Sequence, residues 1–145
     1  MWDALNPFRL PVHPPLVHFP VALLALVWAF LVLRYATGDV RWDARARLMH
    51  LIAVCSLPVV MVAAIIDTRG LGFVIHPRFD APLIWHALGG VVISAIFVVH
   101  FRWRRSFAPE QFAGRRGVID LTMASAGFWG MVTIGLLAGE MVFAA

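Results

Sequence analysis

The chain has 145 residues, of which 61% are hydrophobic and only 14% are charged. This composition excludes an ordinary soluble domain, and the length allows one domain, which we expect to cover residues 1–145. The 12 basic residues are all arginines, and beside long apolar runs they indicate membrane topology rather than nucleic-acid binding. The single cysteine, Cys55, excludes an intramolecular disulfide, a covalent c-type haem motif and an all-cysteine iron–sulfur site within this chain.

The first residues have no basic segment that leads into a short apolar one, so we do not expect a cleaved signal peptide. Residues 1–13 are instead expected to form an amphipathic lead-in at the membrane interface. The first membrane span is predicted over about residues 14–35. Pro14 and Pro15 suit its start, because the first N–H groups of a helix have no partner within the helix.

Three more apolar runs of membrane-spanning length follow, at about residues 43–67, 82–101 and 118–143. The fourth is rich in small residues, which allow close approach between helices. The sequence therefore predicts an all-α fold, a polytopic four-helix bundle in the membrane.

The arginines are distributed unevenly between the two sides of the predicted bundle. Three of them, Arg9, Arg69 and Arg78, lie on the side of the termini. The other nine lie at the connections between spans one and two and between spans three and four: Arg34, Arg41, Arg45, Arg47, Arg102, Arg104, Arg105, Arg115 and Arg116. Positively charged loops remain in the cytoplasm, so both termini are expected outside.

The third span carries two histidines, His86 and His100, separated by 14 residues. On an α-helix this separation places them about 40° apart on one face and about 21 Å apart along the axis. The third helix therefore presents one imidazole near each side of the membrane. Histidine within a span is costly and indicates a functional site.

Two other spans offer a histidine at each of these levels. His18 lies near the outer end of the first span, at the level of His86, and His50 lies near the inner end of the second span, at the level of His100. Two imidazoles from facing helices are the donor set that holds a b-type haem. We therefore predict an outer haem held by His18 and His86 and an inner haem held by His50 and His100.

Other residues are expected to support these haem groups. Gly89 and Gly90 lie one turn after His86, where a bulky side chain would crowd a porphyrin. Some of the arginines at the inner side are expected to pair with haem propionates. The candidates are Arg45, Arg47, Arg102 and Arg104.

Several alternatives stay open. The histidines are also compatible with packing at the membrane interface, and His13 or His76 competes for the outer ligand position or for a quinol site. Asp67, Glu140 and Asp120 lie at span edges, where helix capping or arginine pairing is the simpler interpretation and hydrogen bonding to a ligating imidazole the other. Zinc fits less well, because it takes three or four converging ligands.

The opening segment, His13-Pro-Pro-Leu-Val-His18-Phe-Pro20 followed by an apolar helix, resembles the signature of a family of small four-helix bacterial membrane proteins. Members of that family are found joined to Rieske or cytochrome c domains, and the resemblance therefore implies electron transfer in a bacterial inner membrane. The spacing of His86 and His100 is also similar to that in the haem-bearing helices of quinol-oxidising cytochrome b. In that family two helices each carry such a pair, whereas only the third span does here.

These observations predict a dihaem b-type membrane cytochrome that acts as a subunit of a respiratory or photosynthetic complex rather than as a stand-alone enzyme. Its expected partners are the lipid bilayer and other redox subunits, such as a cytochrome c or an iron–sulfur protein. Nucleic acid is not an expected partner. The alternatives are a single-haem subunit that reacts with quinone and a non-redox anchor or assembly subunit.

Overall fold

A computed structural model describes residues 13–67 and 82–143 of the chain. Within these residues it contains four α-helices and one short 3-10 helix: α1 His13–Thr37, α2 Arg41–Asp67, α3 Pro82–Arg105, the 3-10 helix Pro109–Gln111 and α4 Gly114–Phe143. The predicted lead-in over residues 1–12, His76, and the side chains of His13, Asp67 and Glu140 lie outside the described part.

All four α-helices are long and apolar enough to cross a membrane, which confirms the predicted all-α architecture. The predicted spans agree with the helices to within a few residues. The largest differences are at the arginine-rich side, where α3 continues to Arg105 and α4 already begins at Gly114. Both extensions contain arginines, which the apolar pattern did not include. Arg104 is nevertheless buried within the bundle.

The helices form a closed ring in which each packs against its neighbours. The most extensive contacts join α1 to α2 and α3 to α4. The contacts between α1 and α4 and between α2 and α3 are less extensive, and each such line of contact between two helices is called a seam below. Trp28 of α1 donates a hydrogen bond to Ser125 of α4 at 3.1 Å and stacks on Phe128 with ring centroids 4.5 Å apart. Polar contacts of this kind help to hold helices together where lipid removes the hydrophobic driving force.

The bundle exposes apolar side chains along its outer surface. At its arginine-rich end it buries polar side chains in its interior. Large apolar residues such as Val59, Val92 and Leu136 are exposed, as expected of helices that face lipid. The largest fully buried side chains of the described residues include several ionisable ones: Arg104, His50, His100, Asp43 and Asp120. The interior of the bundle therefore contains a polar site.

The connection between α1 and α2 is a tight turn on the arginine-rich side. Gly38 adopts a φ of 72°, which favours glycine, and its N–H donates to the carbonyl oxygen of Arg34 at 2.8 Å. Asp39 accepts a hydrogen bond from the Arg41 N–H at 2.9 Å and so helps to begin α2. A hydrogen bond from the Arg41 side chain lowers the pKa of the Asp39 carboxyl.

Gly127 provides a test of the close packing between α3 and α4. We expect Gly127→Val to destabilise the bundle, because a Cβ at this position would lie 2.8 Å from Cζ of Phe97, a buried ring. Overpacking of this kind costs about 1–3 kcal/mol. Thermal unfolding in detergent measures the loss. Gly135→Val is the matched control, because a Cβ there meets nothing within 4 Å. An equal loss in both variants would contradict this packing.

Candidate functional site in the bundle interior

The structure brings together the two histidines predicted at the inner level. His50 of α2 and His100 of α3 have ring centroids 5.2 Å apart, with their planes tilted by 53°. Both side chains are almost fully buried, at 1% and 0% exposure. Since the two residues belong to different helices and are far apart in sequence, their approach depends on the packing of the whole bundle.

Each of these imidazoles uses its Nε2 atom in a hydrogen bond to a group other than the second ring. Nε2 of His50 lies 3.0 Å from the carbonyl oxygen of Phe97, and Nε2 of His100 lies 2.7 Å from Oδ1 of Asp120. A carbonyl oxygen or an ionised carboxylate can only accept, so we assign the proton of each ring to Nε2. The Nδ1 atoms of His50 and His100 are buried and have no hydrogen-bond partner. A neutral imidazole in this state has its lone pair on Nδ1.

Arg104 links this histidine pair to a buried ion cluster. Its guanidinium donates to Asp120 through one terminal nitrogen and to Asp43 through the other. Arg104, Asp120 and Asp43 are each at most 1% exposed. A buried charge is tolerated only when it is paired and hydrogen-bonded, and each of these three side chains meets that condition.

Three further side chains complete the cluster. Tyr35 donates its hydroxyl to Oδ2 of Asp120 at 2.8 Å. Asp43 also accepts a hydrogen bond from Nε of Arg47, with 2.6 Å between this nitrogen and Oδ2. Its Oδ1 atom lies 3.4 Å from a terminal guanidinium nitrogen of Arg34. Taken together, three arginines face two aspartates, which leaves a formal excess of one positive charge apart from the histidines.

The ring of Phe112 lies against all three of these arginines. The guanidinium carbons of Arg34, Arg47 and Arg104 lie 5.6, 5.7 and 5.2 Å from the centroid of the Phe112 ring. Phe112 is buried and follows the 3-10 helix, so the connection between α3 and α4 closes the cluster from the arginine-rich side. A ring face attracts cations, and the buried Phe112 partly compensates for the water that these guanidinium groups lose.

The sequence did not predict that Asp43, Tyr35 or Arg34 belongs to this site. For Asp120 it predicted pairing with an arginine as one interpretation, which the structure confirms. For Arg104 it predicted only pairing with a haem propionate. A helical pattern would have indicated Asp43, since Asp43, Arg47 and His50 follow one another at intervals of four and three residues and therefore share one face.

The predicted outer pair lies in more open surroundings. His18 is exposed on α1, and His86 is half-buried on α3, with its Nδ1 atom 3.3 Å from the carbonyl oxygen of Ile134 in α4. A Cβ at Gly89 would collide with the side chain of Ile134, so this glycine allows α3 and α4 to approach. At Gly90 a Cβ would meet nothing within 4 Å. The shared outer haem site stays a prediction.

The donor chemistry of the inner pair fits an iron held by two imidazoles. Histidines that bind metal almost always donate their other ring N–H to a carboxylate or a carbonyl, as His50 and His100 do. The ring centroids lie 5.2 Å apart. His50 and His100 would be the residues that hold such an iron, which would supply one-electron transfer.

Other metal chemistry is less well supported in the part of the chain that the structure describes. No group of three or more histidine, cysteine, aspartate or glutamate side chains there is arranged to hold a metal ion.

Of the predicted propionate partners, Arg102 is exposed, whereas Arg47 already donates to Asp43 and to the carbonyl oxygens of Arg104 and Phe107.

Comparison with known proteins agrees with this architecture. Residues 9–145 match a family model described as "Predicted membrane protein (DUF2231)". The chain belongs to this family. Neither the search of curated proteins nor the search of solved structures finds a match. Family membership supports a multi-pass membrane protein, and the resemblance seen in the opening motif is consistent with it.

The buried ion cluster gives a test of its own. We expect Asp120→Asn to destabilise the protein strongly, because it keeps the shape but leaves Arg104 with one carboxylate partner fewer in the bundle interior. Breaking a buried pair in this way costs about 3–5 kcal/mol. Unfolding by a denaturing detergent measures the change in free energy, and the double variant Asp120→Asn, Arg104→Met is expected to regain part of it.

The matched control for this experiment is Asp39→Asn. Asp39 pairs with Arg41 at 2.8 Å at the exposed turn after α1, and solvent screens that interaction. Asparagine also retains the ability to begin α2. A loss of stability that is equal in the two single variants would contradict the assignment of Asp120 to a buried cluster.

Proposed function

We propose that this protein is a b-type membrane cytochrome that carries electrons across the bilayer as a subunit of a larger redox complex. In this proposal His50 and His100 hold an inner haem, and His18 and His86 hold an outer haem. The inner membrane of a bacterium is the proposed location. The proposed partners are a cytochrome c or an iron–sulfur protein on the outer side, with quinone as a further candidate acceptor or donor.

One observation carries the proposal more than any other. Two buried imidazoles from different helices lie side by side. Each donates its Nε2–H to a carbonyl or carboxylate oxygen, and each has an Nδ1 atom without a hydrogen-bond partner. Packing alone does not require this pattern, because a buried nitrogen without a partner costs free energy. It is the pattern expected where histidines are oriented to bind a metal.

The surrounding residues of this chain have distinct tasks in the proposed site. Asp120 orients His100, and the carbonyl group of Phe97 orients His50. Arg104 fixes Asp120 in place and reduces the cost of its negative charge in the interior. A haem iron held by these imidazoles would supply transfer of single electrons.

Two other functions remain distinct candidates. A single-haem subunit that reacts with quinone would use only one histidine pair, and the open surroundings of His18 favour the inner pair as the surviving one. A non-redox anchor or assembly subunit would use the histidines for packing alone. The internal neutralisation of Asp43 and Asp120 by arginines favours that structural alternative.

A redox difference spectrum of the purified protein, with a pyridine haemochrome assay, distinguishes these functions. We expect two b-type haems per chain. His50→Ala and His100→Ala are each expected to lose the same haem, and His18→Ala and His86→Ala the other. Size-exclusion chromatography and circular dichroism establish that each variant is folded, and His→Gln replaces any variant that aggregates.

Met49→Leu is the matched control for the inner site. Met49 is half-buried next to His50, and leucine preserves its size and apolar character while removing a sulfur that is itself able to bind iron. This variant is expected to retain both haems. One haem that is lost with His50 or His100 would favour the single-haem subunit. A folded protein without haem would exclude the cytochrome and leave the anchor subunit.

A further inference from the structure

A groove opens between α2 and α3 beside the histidine pair, at the arginine-rich end of the bundle. Its volume is about 280 Å³. Leu48, Leu51 and Phe101 form its apolar wall, and Leu48 and Leu51 are exposed on the outer surface of the bundle. Since that surface faces lipid in a membrane, the groove is accessible from the bilayer.

The buried side of the groove is polar. His50 and Arg104 line it and are each only 1% exposed, so they lie at its floor rather than at its rim. The Nε–H group of Arg104 is buried and has no hydrogen-bond partner, although both terminal nitrogens of this side chain are paired with carboxylates. An arginine N–H can only donate, and a ligand oxygen would satisfy it.

The rim of the groove carries a positive charge. Arg105 lines the groove, is exposed, and has its guanidinium carbon 5.7 Å from the centroid of the Phe101 ring. Arg47 also lines the groove and contributes to the local positive charge, although its own donors are used within the bundle. The groove thus combines an apolar wall, a cation at the rim and an unsatisfied donor at the floor.

We propose that this groove binds one anionic phospholipid from the leaflet at the arginine-rich side. The phosphate group contacts Arg105 and receives the Nε–H of Arg104, and an acyl chain lies along Leu48 and Leu51. Basic pockets between membrane helices recognise anionic head groups in this way. The excess of positive charge in the neighbouring ion cluster adds to the attraction. The proposal does not depend on haem.

Native mass spectrometry of the detergent-extracted protein, titrated with phosphatidylglycerol or phosphatidylcholine, tests the proposal. We expect one phosphatidylglycerol molecule to be retained in preference to phosphatidylcholine. Arg105→Gln is expected to reduce its retention about fivefold. The matched control is Arg102→Gln, because Arg102 is an exposed arginine on the same helix that does not line the groove.

A second pair of variants tests the groove without changing its charge. Leu48→Trp fills the groove and is expected to abolish the preferential retention of phosphatidylglycerol. Ile52→Trp adds the same ring one turn further along α2, outside the lining, and is expected to preserve it. Thermal unfolding with and without added phosphatidylglycerol tests the same difference. We expect the lipid to raise the unfolding temperature of Leu48→Trp less than that of Ile52→Trp.

Three results would overturn the proposal. Equal losses in Arg102→Gln and Arg105→Gln would show a general attraction between the arginines and anionic lipid. Thermal stabilisation by inorganic phosphate as large as that by phosphatidylglycerol would show a phosphate site without a lipid component. Displacement of the lipid by a short-chain quinone would assign the groove to quinone. The haem content of the same samples is measured separately, so failure of the cytochrome proposal is distinguishable from failure of this one.

Discussion

The pairing of Arg104 with Asp43 and Asp120 is the interaction on which the arginine-rich half of the bundle depends. Asp43 lies near the start of α2, Arg104 near the end of α3 and Asp120 near the start of α4, so one guanidinium fixes three helix ends relative to one another. Tyr35 and Arg34 bring in the end of α1. In a medium where apolar burial gives little preference for helix contact over lipid contact, such polar interactions determine which helices meet and at what depth.

The same cluster positions the histidine pair. Asp120 binds Arg104 with one carboxylate oxygen and His100 with the other, so the ion cluster and the imidazole are parts of one hydrogen-bonded unit. His50 is held separately, by a carbonyl group of α3. The two rings therefore meet because α2 and α3 are each anchored through Arg104, and a substitution in the cluster is expected to reach the rings through the backbone of these helices.

The sequence predicted the four spans and the meeting of His50 with His100, because both follow from the length of apolar runs and from depth in the membrane. It did not predict Asp43 as a partner of Arg104. Depth alone does not determine which face of α2 is turned inward, and Asp43 lies at a span edge where charged residues are ordinarily solvated. Gly89 illustrates the same limit, since the sequence indicated a small residue was needed but not that Ile134 is its neighbour.

The histidine pair lies at the least extensive of the contacts between neighbouring helices. His50 and His100 lie on either side of the seam between α2 and α3, which is thinner than the seam between α1 and α2 or between α3 and α4. An iron held between the rings, as proposed above, would need them to separate, and the seam between α2 and α3 is the least extensive of the four contacts between neighbouring helices. Arg104 of α3 pairs with Asp43 of α2 across this same seam, so the ion cluster opposes its opening. The cluster that closes the bundle therefore also limits the space that a ligand between these two imidazoles can occupy.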